Sequence, residues 1–379
     1  MKTEQTRWTA GKGWEPAFPG TLGTGAHLVL LFGSTSVLKA QNRLEEVKQA
    51  YPNAHFLSCS TAGEIYDTSV LDDSLVVTAI HFEGSYVKGA RLTLDERTSS
   101  FEAGERLARQ LDPEGLMHVF ILSDGLRVNG SELVAGLAKH LPAHVAITGG
   151  LSGDGARFQE TLVLWDGTPQ RDSIAALGLY GDRLHVGYGS LGGWDSFGPD
   201  RLITRSAGNV LYELDGKSAL ALYKTYLGEH AAGLPATGLL FPLSLRTPDT
   251  ITPVVRTILS INEQEQSMTF AGDLPEGAYA RLMKANFDRL IDGAVGAAKI
   301  SAEAPGSCSP DLAVLISCIG RKLVLKQRVE EEVEGVREVL GERAVLAGFY
   351  SYGEISPFTP GAKCELHNQT MTITTFSEY

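Results

Sequence analysis

The chain has 379 residues, 43% hydrophobic and 21% charged, a globular profile that excludes a disordered or fibrous protein. At ~150 residues per domain this length holds two or three domains and buries a large core without help from disulfides or metals. Lys and Arg number 33 against 45 Asp and Glu, and the resulting net charge of −12 opposes general binding to nucleic-acid phosphates.

Residues 1–25 read as an N-terminal extension, and its start, Met1 to Arg7, lacks the apolar run of a signal peptide. Residues 28–32 are an unbroken apolar run, as in a strand buried on both faces. Ala40, Leu44, Val47 and Tyr51 follow at i, i+4, i+7 and i+11, one face of a helix. A second short run, 55–64, closes on Gly63 and Glu64. The same plan returns with strand 118–122, helix positions Gly130, Val134, Leu137 and Leu141, and the run 145–154 closing on Gly153 and Asp154. It returns again with strand 312–316, helix positions Val329, Val333, Val336 and Leu340, and the run 345–354 closing on Gly353 and Glu354. From the last helix position to the glycine before the acid is 12 residues in the first two copies and 13 in the third. Further strands follow at 75–82, 161–165 and 371–376, and glycine-turned hairpins at 79–87 and 176–184.

The fold expected is α/β, in the mixed α+β sense. Internally repeated strand-helix-strand-strand units form mixed sheets in two lobes, with the Gly-acid turns near the lobe interface. Strands of the third copy are expected to pair with those of the first. The chain has 42 glycines, about 11% against the usual ~7%. Most of them mark equivalent turns. Residues 187–192 match G-x-G-x-x-G, but Gly193 to Pro199 cannot open a helix behind them, so no dinucleotide site is expected. No apolar stretch nears the ~20 residues of a membrane helix. The four cysteines, Cys59, Cys308, Cys318 and Cys364, show no Cys-x-x-Cys spacing and are expected to be free thiols in a reducing, cytoplasmic setting.

These stretches resemble the FIST sensory domain. The resemblance rests on Ser58 to Ile65, Gly149 to Phe158, Thr204, Gly208 to Gly216, Ala219, Tyr223, Leu227 and Gly228, Ser351 to Ile355, and Leu366 to Thr370. It covers 28–376 and implies a FIST N-terminal segment over 26–228, a linker over 229–248 and a FIST C-terminal segment over 249–379. It further implies a ligand-sensing signal-transduction protein, not an enzyme, that regulates a histidine kinase or another output protein in trans. Some stand-alone members of the family are haem proteins that sense nitric oxide, so haem is the cofactor it suggests. Two alternatives stand beside this: a sensor of another small metabolite such as an amino acid, without haem, or a hydrolase or transferase working at the Gly-acid turns. A homodimer is left open; nucleic acid and membrane insertion are not expected.

The candidate ligand residues are His367, Asn368, Gln369, Glu354, Tyr352, Tyr350, Arg157, Asp154 and Glu64. If 366–376 is one strand, His367, Gln369, Met371 and Ile373 share a face that turns inward. A neutral imidazole there could hold a haem iron through one nitrogen. A hydrogen-bonded structural histidine is the competing reading, with His81 and His185 as rival ligands. Cys364, three residues before His367, falls on the opposite face, and the lack of Cys-x-x-Cys-His excludes covalent haem attachment. Glu64, Asp154 and Glu354 could bind a cation or an amine, or could simply cap local N–H groups. Arg157 could neutralise an acid or hold an anionic group such as a haem propionate. Phe349, Tyr350 and Tyr352 form an aromatic wall suited to a planar ligand or to packing. Glu330, Glu331, Glu332 and Glu334 read as the solvated face of the third repeat helix, a possible partner surface.

Overall fold

The computed structural model describes residues 1–16, 20–247, 253–303, 309–359 and 361–379; Cys308, Pro248 and the proposed segment boundary at 249 lie outside the described residues. The repeat seen in the sequence becomes three units, each carrying a six-stranded mixed sheet. Each unit has a central strand: Leu28–Gly33, Leu116–Ser123 and Leu312–Cys318. A parallel partner lies on one side of each: His55–Ser60, Ala146–Leu151 and Val345–Ser351. An antiparallel closing strand lies on the other: Ser74–His81, Ser173–Tyr180 and Met371–Glu378. An opening strand then flanks the closing one: Lys2–Thr9, Tyr86–Thr93 and Leu184–Leu191.

The units are joined by exchange. After each Gly-acid turn a short strand leaves its own unit and pairs with the parallel strand of another. Glu64–Tyr66 of unit one joins Val345–Ser351 of unit three. Val163–Trp165 of unit two joins His55–Ser60 of unit one. Gly353–Pro357 of unit three joins Ala146–Leu151 of unit two. The exchange is cyclic, so each unit gives one strand and receives one. The expected pairing of third-copy with first-copy strands is part of this ring.

Alternation along the strands explains why the central runs are apolar throughout. Leu28, Leu30 and Phe32, Phe120 and Leu122, and Leu312, Val314 and Ile316 point into the ring and pack with Phe349 and Phe376. The intervening residues face outward to the helices: Val29 and Leu31 belong to the core under Gln41–Ala50, and Ile121, Ala313 and Leu315 to the core under the other helices. Most helix positions read from the sequence lie on Gln41–Ala50, Gly130–Ala138 and Val329–Leu340, with Leu44, Val47, Val134, Leu137, Val333 and Val336 buried; Ala40 and Tyr51 cap the first helix and Leu141 lies past the end of the second. Two further helices, Ser100–Ala108 and Phe287–Ala302, precede the central strands of units two and three. They are amphipathic through small residues such as Ala103, Ala294 and Ala297, a pattern weaker than a Leu/Val stripe.

Glycines make the close helix contacts possible. A Cβ at Gly136 would lie 2.0 Å from the Phe101 carbonyl oxygen of the neighbouring helix, and one at Gly187 would lie 2.0 Å from that of Ser301. The G-x-G-x-x-G stretch is therefore strand backbone on which Phe287–Ala302 rests.

A second lobe is inserted in unit three between its opening strand and that helix. It runs from Asp195 to Lys284 as an eight-stranded antiparallel sheet system with helix Ala219–Leu227 packed on it. Leu211, Leu220, Tyr223, Met268, Phe270 and Leu282 make up its own core. Described residues of the 229–248 stretch form two 3-10 helices and strand Leu243–Arg246 within this lobe.

The expectation of one strand over 366–376 is corrected. Strand Cys364–His367 ends there, and the chain resumes as a strand only at Met371. Gln369 takes φ 62° between them, which no pleated strand permits. No described helix is long and apolar enough to cross a membrane.

Candidate functional site

The inserted lobe leaves the ring at 192–194 and returns at 285–290, and these two stalks cross at a joint. A Cβ on Gly193 would meet the Arg289 carbonyl oxygen at 1.8 Å, so only glycine lets the crossing close. Arg321 is wholly buried beneath it and ties the stalks together. Its guanidinium donates to the carbonyl oxygens of Gly192 (2.5 Å) and Leu290 (2.6 Å), and to the Glu332 carboxylate (2.7 and 3.0 Å). Glu332 also accepts from Tyr350 Oη (2.6 Å) and Ser317 Oγ (3.0 Å). The expectation that Glu330 to Glu334 is a solvated face is thereby corrected at Glu332, which has no exposed surface. A buried charge needs a partner and full hydrogen bonding, and Arg321, a helix away, supplies it.

The turn 368–370 forms the other half of the joint. Trp194 Nε1 donates to the Gln369 carbonyl oxygen (2.8 Å), Gln369 Nε2 to that of Leu239 in the lobe (3.4 Å), and Thr257 N to Asn368 Oδ1 (3.4 Å). Arg256, buried on the lobe side, donates to the Leu366 carbonyl oxygen (2.9 Å) and to that of Asp273 (3.1 Å). Burial lowers its pKa to about 10, against the pull of Glu365 and Asp273. His367 pairs in register with Glu354 of the exchanged strand. Its Nε2 meets the Ser356 carbonyl oxygen at 2.7 Å, and its ring packs edge-on to Phe358. Burial lowers its pKa to about 4, so the ring is neutral at pH 7.

Three polar atoms at this joint are buried with no hydrogen-bond partner among the described residues: His367 Nδ1, Gln369 Oε1 and Thr257 Oγ1. Such atoms normally find one, and a group left unpaired costs about 1–3 kcal/mol.

The nine candidate residues separate into three places. His367, Asn368, Gln369 and Glu354 sit at the joint, and Tyr350 reaches it through Glu332 and Arg321. Glu354 accepts from Ser351 Oγ, Thr370 N and Thr370 Oγ1 (2.7–3.1 Å). Asp154, Arg157 and Tyr352 lie together elsewhere. Asp154 accepts from Tyr352 Oη and from the N–H groups of Phe158, Gln159 and Glu160, with Arg157 Nε 3.9 Å away. Glu64 stands in a third place, accepting from Thr61 Oγ1 and from Ser74 N and Oγ. Glu64 and Glu354 thus occupy equivalent hydroxyl sockets in two units, and burial raises both pKa values to about 7, against those hydrogen bonds. The turns themselves do meet, but through their backbones. Ala62 N donates to the Tyr350 carbonyl oxygen, Gly153 N to that of Ser60 and Tyr352 N to that of Leu151.

The aromatic wall divides, because successive strand residues face opposite ways. Phe349 packs on Phe32 inside the ring, with centroids 4.8 Å apart, while Tyr350 faces the helices and Tyr352 stacks on Phe158 at 4.4 Å. Arg256, Arg321 and Trp194 are the joint residues that sequence reading missed. Nothing in their spacing signals them, since each finds its partners through the stalk crossing or across the lobe boundary.

His367 does not fit a haem iron in this arrangement. It has no exposed surface, its Nε2 is committed to Ser356, and Phe358 covers the ring. Of two cavities outlined by described residues, neither has a histidine in its wall. The apolar one inside the ring has room for about one water, at 10 Å³; the other, of about 330 Å³, lies beside Glu4 and Tyr51. Of the rival histidines, His81 Nδ1 bonds the Gly25 carbonyl oxygen and His185 packs on Tyr379. No group of three His, Cys, Asp or Glu among the described residues could hold a metal ion. Cys59 and Cys318 are buried free thiols, and Cys364 Sγ donates to the Ile147 carbonyl oxygen at 3.2 Å.

Comparison with known families matches residues 27–217 to the FIST N domain and 219–357 to the FIST C domain. An uncharacterized protein of Methanocaldococcus jannaschii is 24% identical over 335 residues, 80% of this chain. The chain spans 62% of that relative's length. Two solved structures align along nearly all of both chains: a chorismatase (10% identity, TM-score 0.35, 99% and 98% covered) and a cyanuric acid hydrolase from A. caulinodans (8%, 0.36, 100% and 99%). Scores this low carry no argument about this chain.

Proposed function

Because the chain belongs to the FIST family of signal-transduction sensor domains, we propose that it senses a small molecule at the joint between ring and lobe. In this reading ligand binding biases the lobe between two positions, and a partner protein reads the difference. A histidine kinase acting in trans is the first choice of partner. The observation that carries the reading is that three of the buried polar atoms left unpaired among the described residues, His367 Nδ1, Gln369 Oε1 and Thr257 Oγ1, lie where segment 366–370 of the ring meets the lobe. A stable fold rarely leaves such groups unpaired except where something else completes them. Arg321 supplies the connection onward, since it holds both stalks and reaches Tyr350 of the ring through Glu332.

The test is a melting-temperature screen of the whole chain against a metabolite set that includes haem, followed by hydrogen exchange with any ligand found. The expected result is a ligand that raises Tm, slows exchange at 254–258 and 366–370, and loses its effect in Gln369→Ala. A ligand that protects only distant segments would sink the joint as the site. So would haem uptake with a Soret band that survives unchanged in His367→Ala.

A further inference from the structure

Resting on the reading of the joint as a ligand site, we propose that it takes a neutral hydrogen-bond donor, of the primary-amide or alcohol class, and discriminates against both ions. The tautomer of His367 is fixed by its neighbour. A carbonyl oxygen can only accept, so Nε2, 2.7 Å from the Ser356 oxygen, carries the proton and Nδ1 presents a lone pair. Gln369 is oriented the same way. Its Nε2 faces the Leu239 carbonyl oxygen, which leaves Oε1 with its lone pairs unmet. Thr257 Oγ1, on the residue whose N–H meets Asn368, can donate or accept. Two of the three unpaired atoms are therefore acceptors and the third can adapt, so a complementary ligand brings N–H or O–H groups.

Charge narrows the class further. Arg256 is buried on the lobe side and bonds three carbonyl oxygens, those of Val255, Leu366 and Asp273, with no carboxylate in ion-pair contact among the described residues. Its field acts on His367, where it disfavours a positive charge, and it disfavours a cationic ligand beside His367 in the same way. An anion would set its own lone pairs against those of His367 and Gln369 unless it first brought a proton onto Nδ1. A neutral donor escapes both costs. Since His367, Gln369 and Thr257 have almost no exposed surface, entry requires the lobe to shift, which couples occupancy to lobe position.

The experiment uses the full chain, with histidine 15N resonances as the readout and acetamide, acetate and methylammonium as probes at equal concentration. Acetamide is expected to raise Tm and to shift the His367 Nδ1 resonance while Nε2 keeps its proton. Gln369→Ala and Thr257→Val are each expected to weaken that response by up to about tenfold, the loss of one hydrogen bond. Acetate binding with a proton appearing on Nδ1 would overturn the proposal, as would methylammonium binding more tightly than acetamide. If all three probes fail while a library compound of ionic chemistry binds in a Gln369-dependent way, the ligand class is wrong and the sensor site stands. If no compound at all acts through Gln369, both fall.

Discussion

Glu332 shows how a residue's neighbours in sequence can mislead about its neighbours in space. It sits in an acidic run on an amphipathic helix, yet it is buried, its Oε2 accepting from both Nε and Nη2 of Arg321. Breaking such a pair from one side strands the other charge, at about 3–5 kcal/mol, whereas replacing both with apolar groups is often neutral. Urea unfolding is therefore expected to show Arg321→Met and Glu332→Leu each strongly destabilised, and the double variant closer to wild type than the sum. Additive losses would mean that the two side chains act separately. His367, Asn368 and Gln369 were legible as unusual because three polar residues begin what reads as a buried strand. What they touch was not, because Leu239 and Thr257 lie more than a hundred residues away across an inserted lobe.

At the scale of elements, the repeat was legible because helix and strand periods recur with matching offsets, and those periods are local. The exchanged strands were not, since Glu64–Tyr66 and Val163–Trp165 are three residues long and their partners belong to other units. The glycine excess separates into turns and contact faces. Gly136 and Gly187 are of the second kind, and an added methyl at either would strike backbone, which cannot rotate away. Gly136→Ala is expected to cost about 1–3 kcal/mol by overpacking, despite alanine's better helix propensity. Circular dichroism melts of Gly136→Ala beside an Ala substitution at exposed Glu132 would check this. A stabilised Gly136→Ala would show that the two helices can separate freely.

Across the whole molecule, buried titratable groups pull in opposite directions with pH. Glu64 and Glu354 bind protons more tightly folded, at about 7 against an ordinary 4.5, so their contribution is full below 4.5 and is lost as pH rises through 7. His118 and His367, lowered to about 3 and 4 by burial, bind protons more weakly folded, so their contribution is full above 6.5 and is lost as pH falls through 4. The two effects offset each other between about pH 4.5 and 6.5, and stability is expected to be greatest there and to fall on either side. Urea titrations from pH 4 to 9 would show it, with Glu64→Gln and Glu354→Gln flattening the alkaline limb. An alkaline limb unchanged in the double variant would place its origin elsewhere. The two-lobe outline was legible in the sequence; that one lobe interrupts unit three was not, because an insertion leaves the repeat on either side intact.

The cyclic exchange also sets a timetable for synthesis. The strand Glu64–Tyr66 emerges early from the ribosome, but its partner around Ala347 and Phe349 is made some 280 residues later. At about 5–20 residues per second that is a wait of tens of seconds or less, during which an unpaired edge is exposed. The first two units can stack as they appear, since Val163–Trp165 reaches back to unit one. The ring as a whole locks only when the last unit delivers its strand forward to unit two and receives the one that has waited since the start. A nascent chain stalled before residue 345 is thus an open arc with a sticky end, a natural client for a chaperone.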